Sequence, residues 1–175
     1  MAATRSREAW LPAGIALVVV LCFVAAFVIS VVGDTPVVGM RIDDGRITVR
    51  APVCPEGEVV SVRVAHYGWV DGHEVRTPLW KASGPLTAAG RRGELSLWQS
   101  ADYRQASSGE RPARLPEWLA VEVSVAGGGR GSEEAFETAE VAAAKLPAGV
   151  YLTRKGRRTA QEIDAHARGC ADGGG

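Results

Sequence analysis

The chain has 175 residues, with 20 Lys plus Arg against 20 Asp plus Glu and a hydrophobic share of 46%. Setting aside a hydrophobic N-terminal segment leaves about 140 residues, enough for one well-cored domain and a squeeze for two. The balanced charge gives no overall field to draw nucleic acid or a strongly acidic partner, which argues against nucleic-acid binding. There is no Asn, so no N-x-[ST] glycosylation acceptor exists. Arg dominates over Lys, which occurs only as Lys81, Lys145 and Lys155, and Ala, Gly and Val abound. Such a bias is that of a GC-rich bacterial genome and speaks of source, not of function.

Residues 11–32 read LPAGIALVVVLCFVAAFVISVV without a charge. At about 1.5 Å per residue a helix of this length covers a hydrocarbon core of about 30 Å. Pro12 stands at its first turn, where proline is tolerated, and Trp10 at interfacial depth. Arg5 and Arg7 precede the span and Asp34 follows it, so the positive-inside rule predicts a cytoplasmic N-terminus and an extracytoplasmic remainder. The expected location is thus the cell membrane, single-pass. The alternative is a signal peptide cut after Ser30 or Gly33, which would release a secreted soluble domain. Cys22 follows Leu21, where a lipoprotein signal needs a small residue, and reads as an apolar member of the span.

The predicted organisation is a cytoplasmic tail at 1–10, a transmembrane signal anchor at 11–32, a linker at 33–36 and an extracytoplasmic β-sandwich at 37–152. A C-terminal turn and helix follow at 153–170, with a flexible tail at 171–175. Outside the span the cysteines are Cys54 and Cys170. In an oxidising compartment they predict a structural disulfide that staples the C-terminus to the body. Closing a loop of order 100 residues stabilises by about 4–5 kcal/mol in the chain-entropy model.

Val38, Met40 and Ile42 lead into Asp43-Asp44-Gly45, whose Asp-Gly supplies positive φ for a tight hairpin into a strand with Ile47, Val49 and Ala51 inward. Val60, Val62 and Val64 alternate with Ser61 and Arg63 and predict a second half-buried strand. A further strand is expected over 75–81, with Pro78 placing it at an edge or delaying its start. Leu95 and Leu97 continue the pattern, and 100–116, rich in Ser, Arg, Pro and Gly, reads as a surface loop. Leu119, Val121, Val123 and Val125 give the clearest alternation, and GGGRG at 127–131 a turn. Residues 132–145 fit either a helix or a return strand through Phe136, and we favour the strand. GVYLT at 149–153 is a short strand and 154–158 a basic turn. Thr159-Ala160-Gln161-Glu162 is a capping box that starts a short helix, burying Ile163 and ending at Gly169.

About seven strands with one short C-terminal helix predict an all-β, two-sheet sandwich. RITVRAPVCPEGEVVSVRV at 46–64, followed by PLWKASGP at 78–85, resembles the early strands of immunoglobulin-like or fibronectin type III-like bacterial modules. The resemblance implies the sandwich and no activity, since the architecture hosts many functions. It departs from the antibody-type pattern in that the second cysteine lies in the C-terminal helix region.

No catalytic or metal residues and no cofactor motif emerge. His66, His73 and Glu74 could converge on a metal and are the alternative site of an exported enzyme or metal-binding domain, yet they lack H-E-x-x-H spacing. Asp43-Asp44-Gly45 is explained by its turn, and neither G-x-S-x-G nor S-x-x-K occurs. Arg154, Lys155, Arg157 and Arg158 are the densest charge cluster, suited to anionic headgroups, to a wall polymer or simply to a solvated turn. Trp69, Trp80, Trp98 and Trp118 are a heavy tryptophan load. Trp98 and Trp118 fall opposite the aliphatic residues of their strands and are the candidate contact surface for a protein or glycan of the envelope. The expectation is therefore a non-enzymatic, membrane-anchored module that binds or supports another envelope component, with no oligomeric state implied.

Overall fold

A computed structural model describes residues 37–127 and 131–167. The predicted span, with Cys22, and Gly169 and Cys170 lie outside the described residues. Among the described residues no helix is long and apolar enough to cross a membrane. In chain order the strands are β1 (Gly39–Asp43), β2 (Arg46–Arg50), β3 (Glu58–Val70), β4 (His73–Pro85) and β5 (Glu94–Ser96), with helix α1 (Ala88–Arg91) before β5. They continue as β6 (Tyr103–Ala106), β7 (Trp118–Ala126), β8 (Ser132–Glu137), β9 (Val150–Thr153) and β10 (Gly156–Thr159). Helix α2 (Thr138–Ala143) follows β8, and α3 (Ala160–Ala165) follows β10.

The strands form two antiparallel sheets of five, ordered β10-β9-β1-β2-β5 and β6-β4-β3-β7-β8. The period-two patterns turn one face of each sheet inward. Met40, Ile47, Val49 and Leu95 from the first sheet and Val62, Val64, Trp80, Leu119, Val121 and Val123 from the second belong to one buried cluster. A mostly-β, sandwich-like body results, in which each large apolar side chain taken from water stabilises by about 1.5–3 kcal/mol. Trp80 ties the layers together: its ring meets Tyr103 edge-on at 5.5 Å and Trp98, at the end of β5, at 6.0 Å. The Tyr103 hydroxyl donates to Ser96 O at 3.1 Å, and burial pushes its own titration upward.

The Asp44-Gly45 hairpin forms as expected, both residues having positive φ (45° and 78°). The capping box is complete: Thr159 Oγ1 accepts from Glu162 N at 3.2 Å while Glu162 Oε2 accepts from Thr159 N at 2.7 Å, and Ile163 is fully buried. Elsewhere the structure departs from the sequence reading. The β3/β7 register slips between Val59 and Ser61, so Val59 faces the core and Val60 is 47% exposed. The strand expected at 75–81 runs the full length of β4. Pro78 sits where β3 borders β4 on one side and β6, paired only from Ala82 onward, leaves the other side without a strand.

The expected loop at 100–116 contains a 3-10 turn (Ser100–Asp102) and β6, because Tyr103 is drawn into the core. Residues 132–145 hold both alternatives in succession, first β8, pairing Phe136 with Leu119, then α2. The basic stretch at 154–158 is no simple turn: it reverses at Gly156 (φ 90°) into β10, which pairs with β9. Helix α3 runs to Ala165, with His166 as its C-cap, and a 3-10 turn continues to residue 167; the predicted stop at Gly169 lies outside the described residues.

Candidate functional site

β3 and β4 have 13 residues each, whereas β7 has nine. The β3/β7 ladder stops at His66 opposite Leu119, so the β3–β4 hairpin continues past its neighbour as a two-stranded ribbon. The ribbon closes at Asp71-Gly72, again with positive φ (52° and 78°). On β3, Val62 and Val64 face the core, so alternation sends Ala65, Tyr67 and Trp69 to the outer face.

Pairing then builds a trough on that outer face. Pro78, Ala65, Ala120 and Ala135 lie in one cross-strand row over β4, β3, β7 and β8. Small side chains at all four positions leave a low floor. On one side stands the charged row Lys81, Arg63, Glu122 and Glu133. On the other stand Arg76, Tyr67, Trp69 and Trp118. Arg76 Nε donates to Glu74 Oε1 at 2.5 Å, its Nη1 donates to Glu133, and its guanidinium lies 6.0 Å from the Tyr67 ring centroid. The Glu74 hydrogen bond chiefly holds Arg76 above its ordinary pKa.

The Arg76–Glu133 bridge lines both of two adjoining hollows of about 570 and 610 Å³, volumes in the range of ligand clefts. Arg63 pairs with Glu122 at 3.5 Å. Exposed pairs of this kind are worth about 0–1 kcal/mol, so an incoming ligand can exchange them cheaply. Tyr67 and Trp69 meet edge-on at 6.4 Å, with Trp69 65% and Trp118 37% exposed. The trough therefore offers flat aromatic faces beside a bidentate guanidinium and carboxylates, close to neutral as a set. Such a set can stack on and hydrogen-bond a ligand.

Of the two predicted contact tryptophans, Trp118 lies in this trough, whereas Trp98 (φ 58°) packs on the core against Trp80. The structure does not bring them together. His66 pairs across the ladder with Thr77 and His73 with Val70, four residues apart along β4 and so about 13 Å. Glu74 is engaged by Arg76. Among the described residues no group of three or more His, Cys, Asp or Glu is placed to hold a metal ion. Cys54 is buried and has a partner.

Tyr67, Trp69, Arg76 and Glu133 line the trough, and the sequence alone did not single them out as a surface. Their signal was the alternation itself: Tyr67 and Trp69 share parity with Arg63 once Val62 and Val64 are set inward. No protein-family model matches the chain, nor does any curated protein or solved structure.

Proposed function

We propose that the chain is a single-pass, membrane-anchored extracytoplasmic module that works by binding another envelope component in the trough of its second sheet. The observation that carries this reading is the placement of Trp69, Trp118 and Tyr67. Trp69 and Trp118 are exposed and Tyr67 half-buried beside a floor of alanines, away from a core already supplied with aromatic residues. Exposed aromatic clusters of this kind mark interaction surfaces. The uncharged run at 11–32 supports the anchor, and its flanking charges support the outward orientation.

The architecture supports an immunoglobulin-like assignment. β2 lies between β1 and β5 in one sheet, while β3 lies between β4 and β7, with β8 beyond, in the other. This is the A-B-E and C′-C-F-G neighbourhood of such sandwiches, with β6, β9 and β10 as additions. The C-terminal staple from Cys54 is assigned to Cys170. Arg50 Nε donates to Asp164 Oδ1 at 2.9 Å, which holds α3 against β2. Asp164, Ala165 and Ala167 line one hollow with Val53 and Pro55, the neighbours of Cys54. Two residues, Arg168 and Gly169, then separate Ala167 from Cys170.

The test begins with intact mass of protein purified from membranes and from medium, non-reducing, with and without alkylation. Full-length chain in membranes with Cys54 and Cys170 protected is expected. A species beginning at Val31 or Asp34 in the medium would instead favour the secreted alternative. Binding is then read on full-length protein by acrylamide quenching of tryptophan emission, using solubilised peptidoglycan fragments and solubilised envelope proteins as probes. One of the two should shield emission in the wild type and not in the Trp69→Ala, Trp118→Ala double variant. Identical responses from both proteins would remove the trough from consideration.

A further inference from the structure

A separate surface bears on how the body meets the membrane, and it rests on the anchored reading above. We propose that the β9–β10 hairpin is a second membrane contact, in which Arg154, Lys155, Arg157 and Arg158 meet anionic phospholipid headgroups at the surface from which the chain emerges.

Register places the hairpin. Met40 of β1 pairs with Leu152 of β9, and Leu152 pairs with Arg157 of β10, so these three share one rung. Gly39, the first residue of β1, has its open side against Tyr151 and Thr153: a Cβ there would lie 2.6 Å from Tyr151 Cβ and 3.3 Å from Thr153 Cγ2. Because β1 and β9 are antiparallel, β9 runs toward the start of β1, and the Arg154-Lys155 turn lies past that end. The hairpin tip therefore lies at the end of β1 where the described residues of the body begin.

Chain length supplies the second constraint. Val37 is buried at 1% exposure, so it is part of the body, and only residues 33–36 separate it from the apolar run. Five Cα steps reach at most about 18 Å. That is the fully extended limit; a linker short of full extension brings the hairpin within the Debye length of about 8 Å at physiological salt, where its cations sense a charged surface.

Charge is the third. Arg154, Lys155 and Arg157 are exposed. Glu134 faces Arg154 at 3.5 Å, and Glu162, while bound to the Thr159 cap, also senses the charge of Arg158. Arg157 donates to the neutral Ala144 carbonyl at 3.1 Å, which fixes its direction without offsetting its charge. At the opposite end of β1, Asp43 and Asp44 are accompanied by cations: Arg41 binds Asp43, Arg46 stands across from it and Arg111 donates to the Gly45 carbonyl. Four cations against two carboxylates leave the β9–β10 hairpin basic. An anionic surface attracts this hairpin.

The experiment places full-length chain, purified from membranes, in nanodiscs of phosphatidylglycerol or of phosphatidylcholine and follows amide hydrogen exchange. Intact mass is read first: a chain lacking residues before Val31 or Asp34 sinks the anchored reading and this proposal with it. With full-length chain, exchange over 154–158 should slow by about tenfold in phosphatidylglycerol alone, and the protection should vanish at high salt. The Arg154→Gln, Lys155→Gln, Arg157→Gln, Arg158→Gln variant should lose it, as should Lys155→Glu, a single change at the turn that spares the Arg157 hydrogen bond. Equal exchange in the two lipids overturns the proposal. So does protection that appears only on adding a soluble polyglycerol phosphate, which would make the hairpin a reader of wall polymer.

Discussion

The two halves of the β3–β4 hairpin share strands, hydrogen bonding and alternation, yet they meet different fates. At its base Val62, Val64, Trp80 and Ala82 are at most 4% exposed, with β7 on one side, β6 on the other and the opposite sheet across the core. Past the end of the β7 ladder the same strands hold Trp69 and Val70 at 65% and 57% exposure. Large apolar residues at the base are accounted for by the fold. Those at the tip contribute little to it, which is why we read them as contacts.

The largest expected effect breaks the base: Trp80→Ala should cost about 3–5 kcal/mol in denaturant unfolding, as large cavities in cores do. At the ribbon turn, Gly72→Ala should cost only about 1 kcal/mol. Its φ of 78° disfavours any Cβ, but no atom lies within 4 Å of where that Cβ would stand, so only backbone strain is added. Trp69→Ala and Trp118→Ala should each change stability by less than about 0.5 kcal/mol while weakening whatever occupies the trough. An effect on unfolding as large as that of Trp80→Ala would erase the distinction between the halves.

The smallest effect lies on the inner face of β8, behind the trough, where Glu134 stands across from Val121. Glu134 carries a raised pKa, chiefly from burial and against the opposing pull of Arg154. The folded chain therefore binds this proton at higher pH than the unfolded chain. Its contribution is complete below the ordinary glutamate range and is lost as pH rises through the raised value. Glu134→Gln should flatten that part of the stability–pH curve. An unchanged curve would assign the slope to other carboxylates. Asp43 and Glu162 act in the opposite sense: their lowered pKa values, set by Arg41 and by the Thr159 cap, stabilise at neutral pH and are lost on acidification.

Much of the frame was legible wherever chemistry is local. Asp44-Gly45 needs only its own φ preferences, and the Thr159–Glu162 box only four residues. Alternation placed Leu119, Val121 and Val123 inward without knowledge of their neighbours. What failed depends on the partner strand. The slip that turns Val60 outward is a property of β3 against β7, and the basic stretch becomes a strand because β9 offers it an edge. The trough was illegible for the same reason: its alanines lie far apart in sequence and form a row only once four strands are in register. Trp98 and Trp118 have the same parity on paper, but Trp98 follows β5 with positive φ, which turns its ring onto Trp80.

The position of β1 has a mechanical corollary. It is the middle strand of its sheet, bonded to β2 on one side and β9 on the other. Were the chain held ahead of Val37 by the proposed anchor and a ligand held on the far sheet, a pull between them would enter through this interior strand rather than through an edge. It must slide β1 past both neighbours together instead of peeling one bond at a time, and α3, packed over Gly39 through Ile163, clamps the point where the load arrives.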